Sequence, residues 1–376
     1  MNCEKMMNDL VFIMHSYEQF NKRKLMNNFK KIGLSALAGS LAMVSAHAVE
    51  YTVTGDMLAS FSTANSPTGP ETENGKGFGA DTDLYFKSSG ELDNGYTVGY
   101  VMSINTNGAL TNSSSQLTMG MGSLGTLQLN HVGGSKANAI DDVMPNAYQE
   151  TWDGLTAGSS NGSFFGNRVN SGSIDYRIPA QSFMGTTINA SVTYDPNASD
   201  AAATSATGGA NDNRGTGNSG YSGQAYTVQV AHESGFEVGG GLEQLKDDAG
   251  LNTGQDSTEQ TTGYAKYAMG PVSVGYQQSY SNKRHGAGVA GQDQESEMMG
   301  IAYAVNDATT VSYGESELIN HEVGATAKVT TELQSIQVSY VMGAMTLSAA
   351  MSETDNASGI LAKKYEENTL AVSFAF

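Results

Sequence analysis

The chain has 376 residues and a formal net charge of −19, and it contains 45 glycines but only six prolines. So negative a chain argues against DNA or RNA as a partner, because binding to a nucleic-acid backbone needs clustered cations. The abundance of glycine and tyrosine favours strands and turns over helices. Beyond the N-terminal leader, no run of residues approaches the ~20 apolar residues that a membrane-spanning helix needs.

Residues 26–48 are typical of a signal peptide. Lys30 and Lys31 supply its positive end, residues 32–45 its apolar centre, and 46–48 a small-x-small cleavage site. We expect cleavage after Ala48; a buried N-terminal helix is the alternative. Residues 1–25 fit no secretion pattern and are interpreted as an upstream extension from a wrongly assigned start. The mature chain, residues 49–376, then has no cysteine and carries 13 Lys and Arg against 35 Asp and Glu, a formal charge of −22.

Residues 49–376 alternate apolar and polar positions in sixteen short segments. Each segment has about 9–12 residues, the length that a tilted strand needs to cross a bilayer. A tight-turn signal, Asp93-Asn94-Gly95, separates the second segment from the third. In chain order the segments centre on residues 51–61, 84–87, 96–104, 117–121, 127–129, 174–178, 188–194, 226–230, 236–242, 265–269, 272–280, 299–305, 311–313, 336–340, 345–351 and 370–376.

The joints between segments alternate in length, long after odd segments and short after even ones. Short turns face the periplasm in bacterial membrane barrels and long loops face outside, so both termini are expected in the periplasm. In lipid every backbone polar group must be bonded within the protein, which excludes an open sheet. The sequence therefore predicts an all-β, transmembrane, antiparallel up-and-down β-barrel of sixteen strands.

The polar face of each segment predicts a water-filled interior. On the seventh segment this face carries Thr187, Asn189, Ser191 and Thr193. Such side chains are satisfied only by water or by one another. Barrels of sixteen to eighteen strands are wide enough to leave an aqueous channel.

A channel this wide needs narrowing, and the long joint from His131 to Asn167 is the candidate for a loop folded inward. It carries four acids but only one Lys, and further basic residues lie on or beside neighbouring strands. We predict a constriction made of Asp141, Asp142, Glu150, Asp153, Lys87, Arg168 and Arg177. Two charges ~10 Å apart interact by roughly 0.4 kcal/mol in water and about 1.7 kcal/mol at an effective dielectric of 20, so the bias toward cations is mild. An ordinary solvated loop is the alternative, and Trp152 is either part of the site or a packing anchor.

Several stretches resemble the general porins of Gram-negative outer membranes, especially the alphaproteobacterial, Rhodobacter-like group. They are residues 81–84 and 90–95, the hairpin 121–127, and the terminal Phe376. The resemblance implies a homotrimer, a third extracellular loop folded into the pore, and passive diffusion of small hydrophilic solutes. It also implies that the barrel assembly machinery reads Phe376, that residues 141–153 form the constriction loop, and that Arg168 occupies a basic wall position.

The sequence and the resemblance together predict a non-enzymatic outer-membrane porin that prefers cations mildly. Its expected surroundings are outer-membrane lipid and lipopolysaccharide. No cofactor is expected. Binding of Ca²⁺ by the acidic loops is left as an alternative, because some porins bind calcium near the constriction. The alternative is a secreted or surface β-rich adhesin without a pore, but that reading predicts a fixed short repeat, which the sequence lacks.

Overall fold

Sixteen antiparallel strands follow one another around a closed ring in the computed structural model. The structure describes residues 50–66, 75–105, 110–153, 164–198, 221–247, 258–282, 292–322 and 329–376, so the leader (26–48) and the segment before it lie outside the described residues. The strands are β1 (Glu50–Asn65), β2 (Gly75–Glu91), β3 (Thr97–Asn105), β4 (Thr111–Gly120), β5 (Thr126–Val132), β6 (Ser173–Phe183), β7 (Thr186–Asp195), β8 (Tyr221–His232), β9 (Phe236–Asp247), β10 (Thr258–Met269), β11 (Val272–Ser281), β12 (Gln292–Asn306), β13 (Thr309–Glu322), β14 (Val329–Met342), β15 (Met345–Asp355) and β16 (Lys364–Ala375).

The first and last strands pair with each other and close the barrel. Their register runs from Asp56 opposite Ala375 to Asn65 opposite Glu366. The Gly55 N–H donates to the Phe376 carbonyl at 2.7 Å, and the Phe376 N–H donates to the Gly55 carbonyl at 2.8 Å. Every strand therefore has two paired neighbours, and no sheet edge is left to be satisfied in lipid. The prediction of a sixteen-strand barrel is confirmed.

The barrel is apolar outside and polar inside. On β14, Ile336 and Tyr340 are 59% and 44% exposed on the outer face, whereas Ser335 and Gln337 are 2% and 3% exposed on the inner face. This arrangement inverts that of a soluble protein and is the pattern of a strand that lies between lipid and a lumen.

The turns after the even strands are short. Two residues join β6 to β7, β10 to β11, and β14 to β15. Each of these turns contains a glycine at positive φ: Gly185 at 75°, Gly270 at 58° and Gly343 at 63°. Such backbone angles suit the tight turns of two-residue hairpins.

Two strand boundaries differ from the sequence-based expectation. The second segment was predicted to centre on residues 84–87, but β2 begins at Gly75, and Phe78 already pairs with Phe61 inside the sheet. The fourth segment was predicted to centre on residues 117–121, but β4 begins at Thr111 and includes Ser113 to Ser115. In both strands the extra residues lie at the long-loop end and are mostly polar or glycine. The alternation of apolar and polar residues therefore could not reveal them.

Within the described ranges, no helix is both long enough and apolar enough to cross a membrane.

Candidate functional site

The joint between β5 and β6 is the third long-side connection, and we call it the third loop (residues 133–172, described at 133–153 and 164–172). Its two limbs are tied together where they leave the strands. The Gly133 N–H donates to Ser171 Oγ at 2.9 Å, and Asn138 Nδ2 donates to Asn167 Oδ1 at 2.9 Å. These bonds hold the loop as a closed double limb at the wall.

Gln277 on β11 binds the backbone of the first limb. Its Oε1 accepts from the Val143 N–H at 3.0 Å, and its Nε2 donates to the carbonyls of Ile140 and Asp141 at 2.9 and 3.0 Å. The Gln277 side chain has no exposed surface. A single buried amide therefore satisfies three backbone groups of the loop.

Farther around the ring, Gln337 on β14 repeats this arrangement. Its Oε1 accepts from the N–H groups of Tyr148 and Gln149 at 2.9 and 3.1 Å, and its Nε2 donates to the Gln149 carbonyl at 2.7 Å. On β13, Ser312 Oγ accepts from the Ala147 N–H at 2.9 Å. In a ring of sixteen strands β13 lies opposite β5. The third loop therefore reaches the far side of the lumen, as the prediction of an inward-folded loop requires.

A row of inward-facing glycines makes room for the loop. Gly275, Gly300 and Gly314 lie opposite one another on β11, β12 and β13, and we call them the glycine row. A Cβ at Gly300 would lie 2.8 Å from the Pro145 carbonyl oxygen, and one at Gly275 would lie 2.9 Å from Pro145 Cδ. Sequence reasoning missed the row and both glutamines.

Apolar packing adds to these contacts and involves Ile140, Met144, Phe165 and Val169 of the loop with Ala225, Tyr264 and Met298 of the wall.

The acids of the third loop are held by hydrogen bonds. Asp142 Oδ1 accepts from the Met144 N–H at 2.8 Å, and its Oδ2 accepts from Trp152 Nε1 at 3.1 Å. Asp141 Oδ1 accepts from the Asp142 N–H at 2.8 Å. Trp152 also packs against a small cluster of buried residues from β14, β16 and the turn between β15 and β16. Trp152 therefore anchors the loop and orients one of its acids.

Burial raises the pKa values of these carboxyls. It raises the pKa of Asp142 to about 6, even though the bonds from Met144 and Trp152 favour the charged form. It raises the pKa of Glu150 to about 8, and the charges of Asp142, Asp141 and Asp153 add to that rise. The pKa of Asp153 is also raised by burial. The four predicted acids therefore lie close enough to influence one another.

The three predicted cations occupy different surroundings. Lys87 is exposed on the lumen face of β2, with its Nζ 5.7 Å from the centre of the Tyr85 ring. Arg177 on β6 lies with its Nη2 3.5 Å from Asp175 Oδ2. Arg168, in contrast, is only 7% exposed and belongs to the second limb of the loop itself.

Arg168 was expected at a basic wall position, and the structure buries it where the loop meets the wall. Its charge faces the buried carboxylate of Glu243 on β9, and Glu243 Oε2 also accepts from the Gly166 N–H at 2.7 Å. Arg168 thus stabilises the contact between the loop and the wall. Sequence reasoning did not single out Glu243, because an isolated Glu in a strand carries no signal of its partner.

Acids on β1 and β2 form a second negative area of the lumen. Asp56 lies directly opposite Asp83, and Asp81 lies one inward position farther along. Asn105 Nδ2 donates to Asp81 Oδ1 at 2.8 Å. The alternation places Asp56 and Asp83 on the polar face, but only the register brings them together.

The described acids of the third loop and of β1 and β2 do not form a metal site. Within the described residues, no group of three or more His, Cys, Asp or Glu side chains is placed to hold a metal ion.

A family model of Gram-negative porins matches residues 33–376. The chain belongs to the Gram-negative porin family. Together with the closed barrel, this places the porin in the outer membrane as an integral channel protein whose strands span the bilayer. No curated protein sequence matches this porin.

Solved structures share the fold of this porin at low sequence identity. The outer membrane channel DcaP of Acinetobacter baumannii is 11% identical at a TM-score of 0.63, over 87% of this porin and 97% of that chain. An anion-selective porin from Comamonas acidovorans is 14% identical at 0.60, over 87% and 100%. The trimer form of OmpT, an outer membrane protein of Vibrio cholerae, is 11% identical at 0.59, over 88% and 100%. At such identities the likeness extends to the fold alone.

The C-terminal residue of this porin lies at the barrel seam. Phe376 is 64% exposed on the outer face, and its backbone is bonded to Gly55 on β1. Its ring is accessible from outside, whereas its backbone completes the last pairing of the barrel.

Proposed function

We propose that this porin is a passive diffusion channel for small hydrophilic solutes and ions, with a mild preference for cations and no enzymatic activity. The observation that carries this proposal is the acidic third loop, held across the lumen by Gln277 and Gln337. A solute that crosses the barrel passes beside this loop, and the carboxylates favour a cation over an anion there.

The size of the preference follows from the charges that face the lumen. Asp141, Asp142, Glu150 and Asp153 are half-buried, so water screens them in part, and Glu150, with its pKa raised to about 8, adds its full charge only above neutral pH. A charge about 10 Å away then gains roughly 0.4 to 1.7 kcal/mol from each ionised carboxylate. Acids on β1 and β2 add to this field, while Lys87 and Arg177 oppose it. Anions are therefore disfavoured but not excluded.

The test is the reversal potential of reconstituted protein under a salt gradient. Wild-type protein in a planar bilayer with a tenfold KCl gradient is expected to give a reversal potential of the sign that marks K⁺ preference. The variant Asp141→Asn, Asp142→Asn, Glu150→Gln, Asp153→Asn is expected to shift this potential toward the chloride side, since the loop charges are gone while Lys87 and Arg177 remain.

A matched control removes acids that lie outside the constriction. Glu91 and Asp93 are exposed at the short-turn end of β2, and Glu91→Gln with Asp93→Asn is expected to leave the reversal potential near that of the wild type. Equal reversal potentials for the wild type and the four-acid variant would contradict the role of the loop.

The same function includes an assembly route. We propose export through a leader cleaved after Ala48, recognition of Phe376 by the barrel assembly machinery, a homotrimer in lipopolysaccharide-containing membrane, and no resident cofactor. The exposed ring of Phe376 at the seam supports recognition before closure, and the trimer form of the Vibrio cholerae neighbour supports the oligomer.

Electrophoresis in mild detergent tests the trimer. The unboiled sample is expected to run as a trimer band and the boiled sample as a monomer band. A monomer under both conditions would contradict the trimer.

A further inference from the structure

A recess opens in the lumen wall beside the first limb of the third loop. It has a volume of about 190 Å³, and we call it the basic recess. Two cations contribute to it, Lys136 from the loop and Arg177 from β6. Its neutral polar lining consists of Asn189, Ser191, Thr227 and Gln229.

Strand register places the basic recess on the periplasmic side of the loop anchor. Arg177 lies opposite Ser191, which lies opposite Thr227. The Lys136 N–H donates to Asp175 Oδ2 at 2.9 Å. Since Arg177 follows Asp175 by two residues on a strand that runs toward a short turn, the recess lies one inward position below the point where the loop is tied.

The charges of the recess do not cancel. Asp175 is fully buried, and it also accepts from Thr193 Oγ1 at 2.5 Å and faces Arg177. The recess therefore has two cations, Lys136 and Arg177, but only the Asp175 carboxylate to balance them. Burial, and next the charge of Arg177, lower the pKa of Lys136, as expected for two cations close together.

Donors in the recess are also left without acceptors. Within the described part of the chain, the buried Arg177 Nε has no hydrogen-bond partner. In the same ranges, no carboxylate forms an ion pair with Lys136. The Nε atom has no accessible surface, so an oxyanion in the recess instead meets the partly exposed remainder of the Arg177 side chain and Lys136. Charge-assisted hydrogen bonds to an anionic oxygen are the stronger ones.

We propose that the basic recess is a binding subsite for small oxyanions, the carboxylates and phosphates of hydrophilic solutes, held by Lys136 and Arg177. This inference rests on the proposed channel function. A water molecule occupies about 30 Å³ of liquid, so the recess holds a small oxyanion with part of its hydration. The neutral side chains of Asn189, Ser191, Thr227 and Gln229 complete that hydration. The subsite gives anions a resting position below a constriction that otherwise disfavours them.

Binding has to be weak for a diffusion channel to release its solute. We therefore expect dissociation constants on the order of millimolar. The probes are inorganic phosphate and succinate, added separately to the periplasmic side of single channels that conduct KCl. Each probe is expected to reduce the wild-type current to a plateau as its concentration rises.

The variant Lys136→Gln, Arg177→Gln is expected to weaken this effect by at least about tenfold, because charge-assisted bonds to the oxyanion are lost. Lys136→Gln alone is a second variant that leaves the Arg177–Asp175 pair and the wall intact, and it is expected to weaken binding severalfold. The matched control is Lys266→Gln, which also removes one lumen cation, but one already paired with Glu237 at 3.4 Å. This control is expected to keep the wild-type response to phosphate.

Three results would overturn the subsite. They are a conducting wild type whose current neither probe reduces to a plateau, a wild-type response in the double variant, and equal losses in the Lys266→Gln control. A wild type that conducts no KCl at all would instead contradict the channel function itself, so the two failures are distinguishable.

Discussion

Replacing Gln277 and Gln337 together with leucine is expected to release the third loop from the far wall and to raise the single-channel conductance. The two side chains make six hydrogen bonds to loop backbone groups. A buried polar group left without its partner costs roughly 1–3 kcal/mol, so the bound position of the loop loses several kcal/mol relative to a detached one. The measurements are conductance in symmetric KCl and the reversal potential, which should fall as the acids leave the pathway.

A second variant disturbs the same contact without removing a hydrogen bond. Valine at Gly300 would press its Cβ against Pro145 and Met144, so the variant Gly300→Val is expected to raise conductance in the same direction. Gly263→Val is the matched control, because a Cβ at Gly263 meets nothing within 4 Å. Wild-type conductance in both the glutamine variant and Gly300→Val, with folding shown by heat-modifiable mobility, would mean that these contacts do not hold the loop.

Lowering the pH from about 9 to about 5 is expected to reduce the cation preference in two steps. Protonation removes negative charge, so the preference is greatest above the higher pKa and falls as pH decreases. The upper step follows Glu150, whose pKa is raised to about 8, and the lower step follows Asp142, whose pKa is raised to about 6. The measurement is the reversal potential as a function of pH.

Single variants separate the two steps. Glu150→Gln is expected to abolish the upper step, and Asp142→Asn the lower one. Removal of the Asp142 charge is also expected to move the remaining upper step to lower pH, since that charge helps to raise the pKa of Glu150. Glu91→Gln, at the short-turn end of β2, serves as the control that keeps both steps. A preference that does not change over this pH range would contradict the burial of these carboxyls in the constriction.

Much of the barrel could be predicted because its signal is local. The alternation of Leu370, Val372 and Phe374 with smaller or polar residues already defines an outer face, and the structure exposes Leu370 and Phe374 there. Asp93-Asn94-Gly95 indicated a short turn in the same way, and it lies in the short connection between β2 and β3. The first residues of β2 and β4 were harder to predict from the sequence. They are mostly polar or glycine and lack the apolar face on which the alternation depends.

The anchoring of the third loop could not be predicted, because it depends on contacts between distant parts of the chain. Gln277 and Gln337 resemble any other inward-facing polar residue of a strand. The glycine row exists only once β11, β12 and β13 are in register. Likewise, the burial of Arg168 follows from Glu243, which lies far along the chain on β9. The cluster of acids was predictable because all four belong to one short segment.

The polar inner face is expected to enclose a continuous water-filled path past the third loop. Single-channel recording of the purified, folded protein in planar bilayers with symmetric KCl tests it most directly. A water-filled path predicts stepwise current increases of uniform size that grow with salt concentration. A bilayer that stays electrically silent after insertion of protein shown to be folded by heat-modifiable mobility would contradict it.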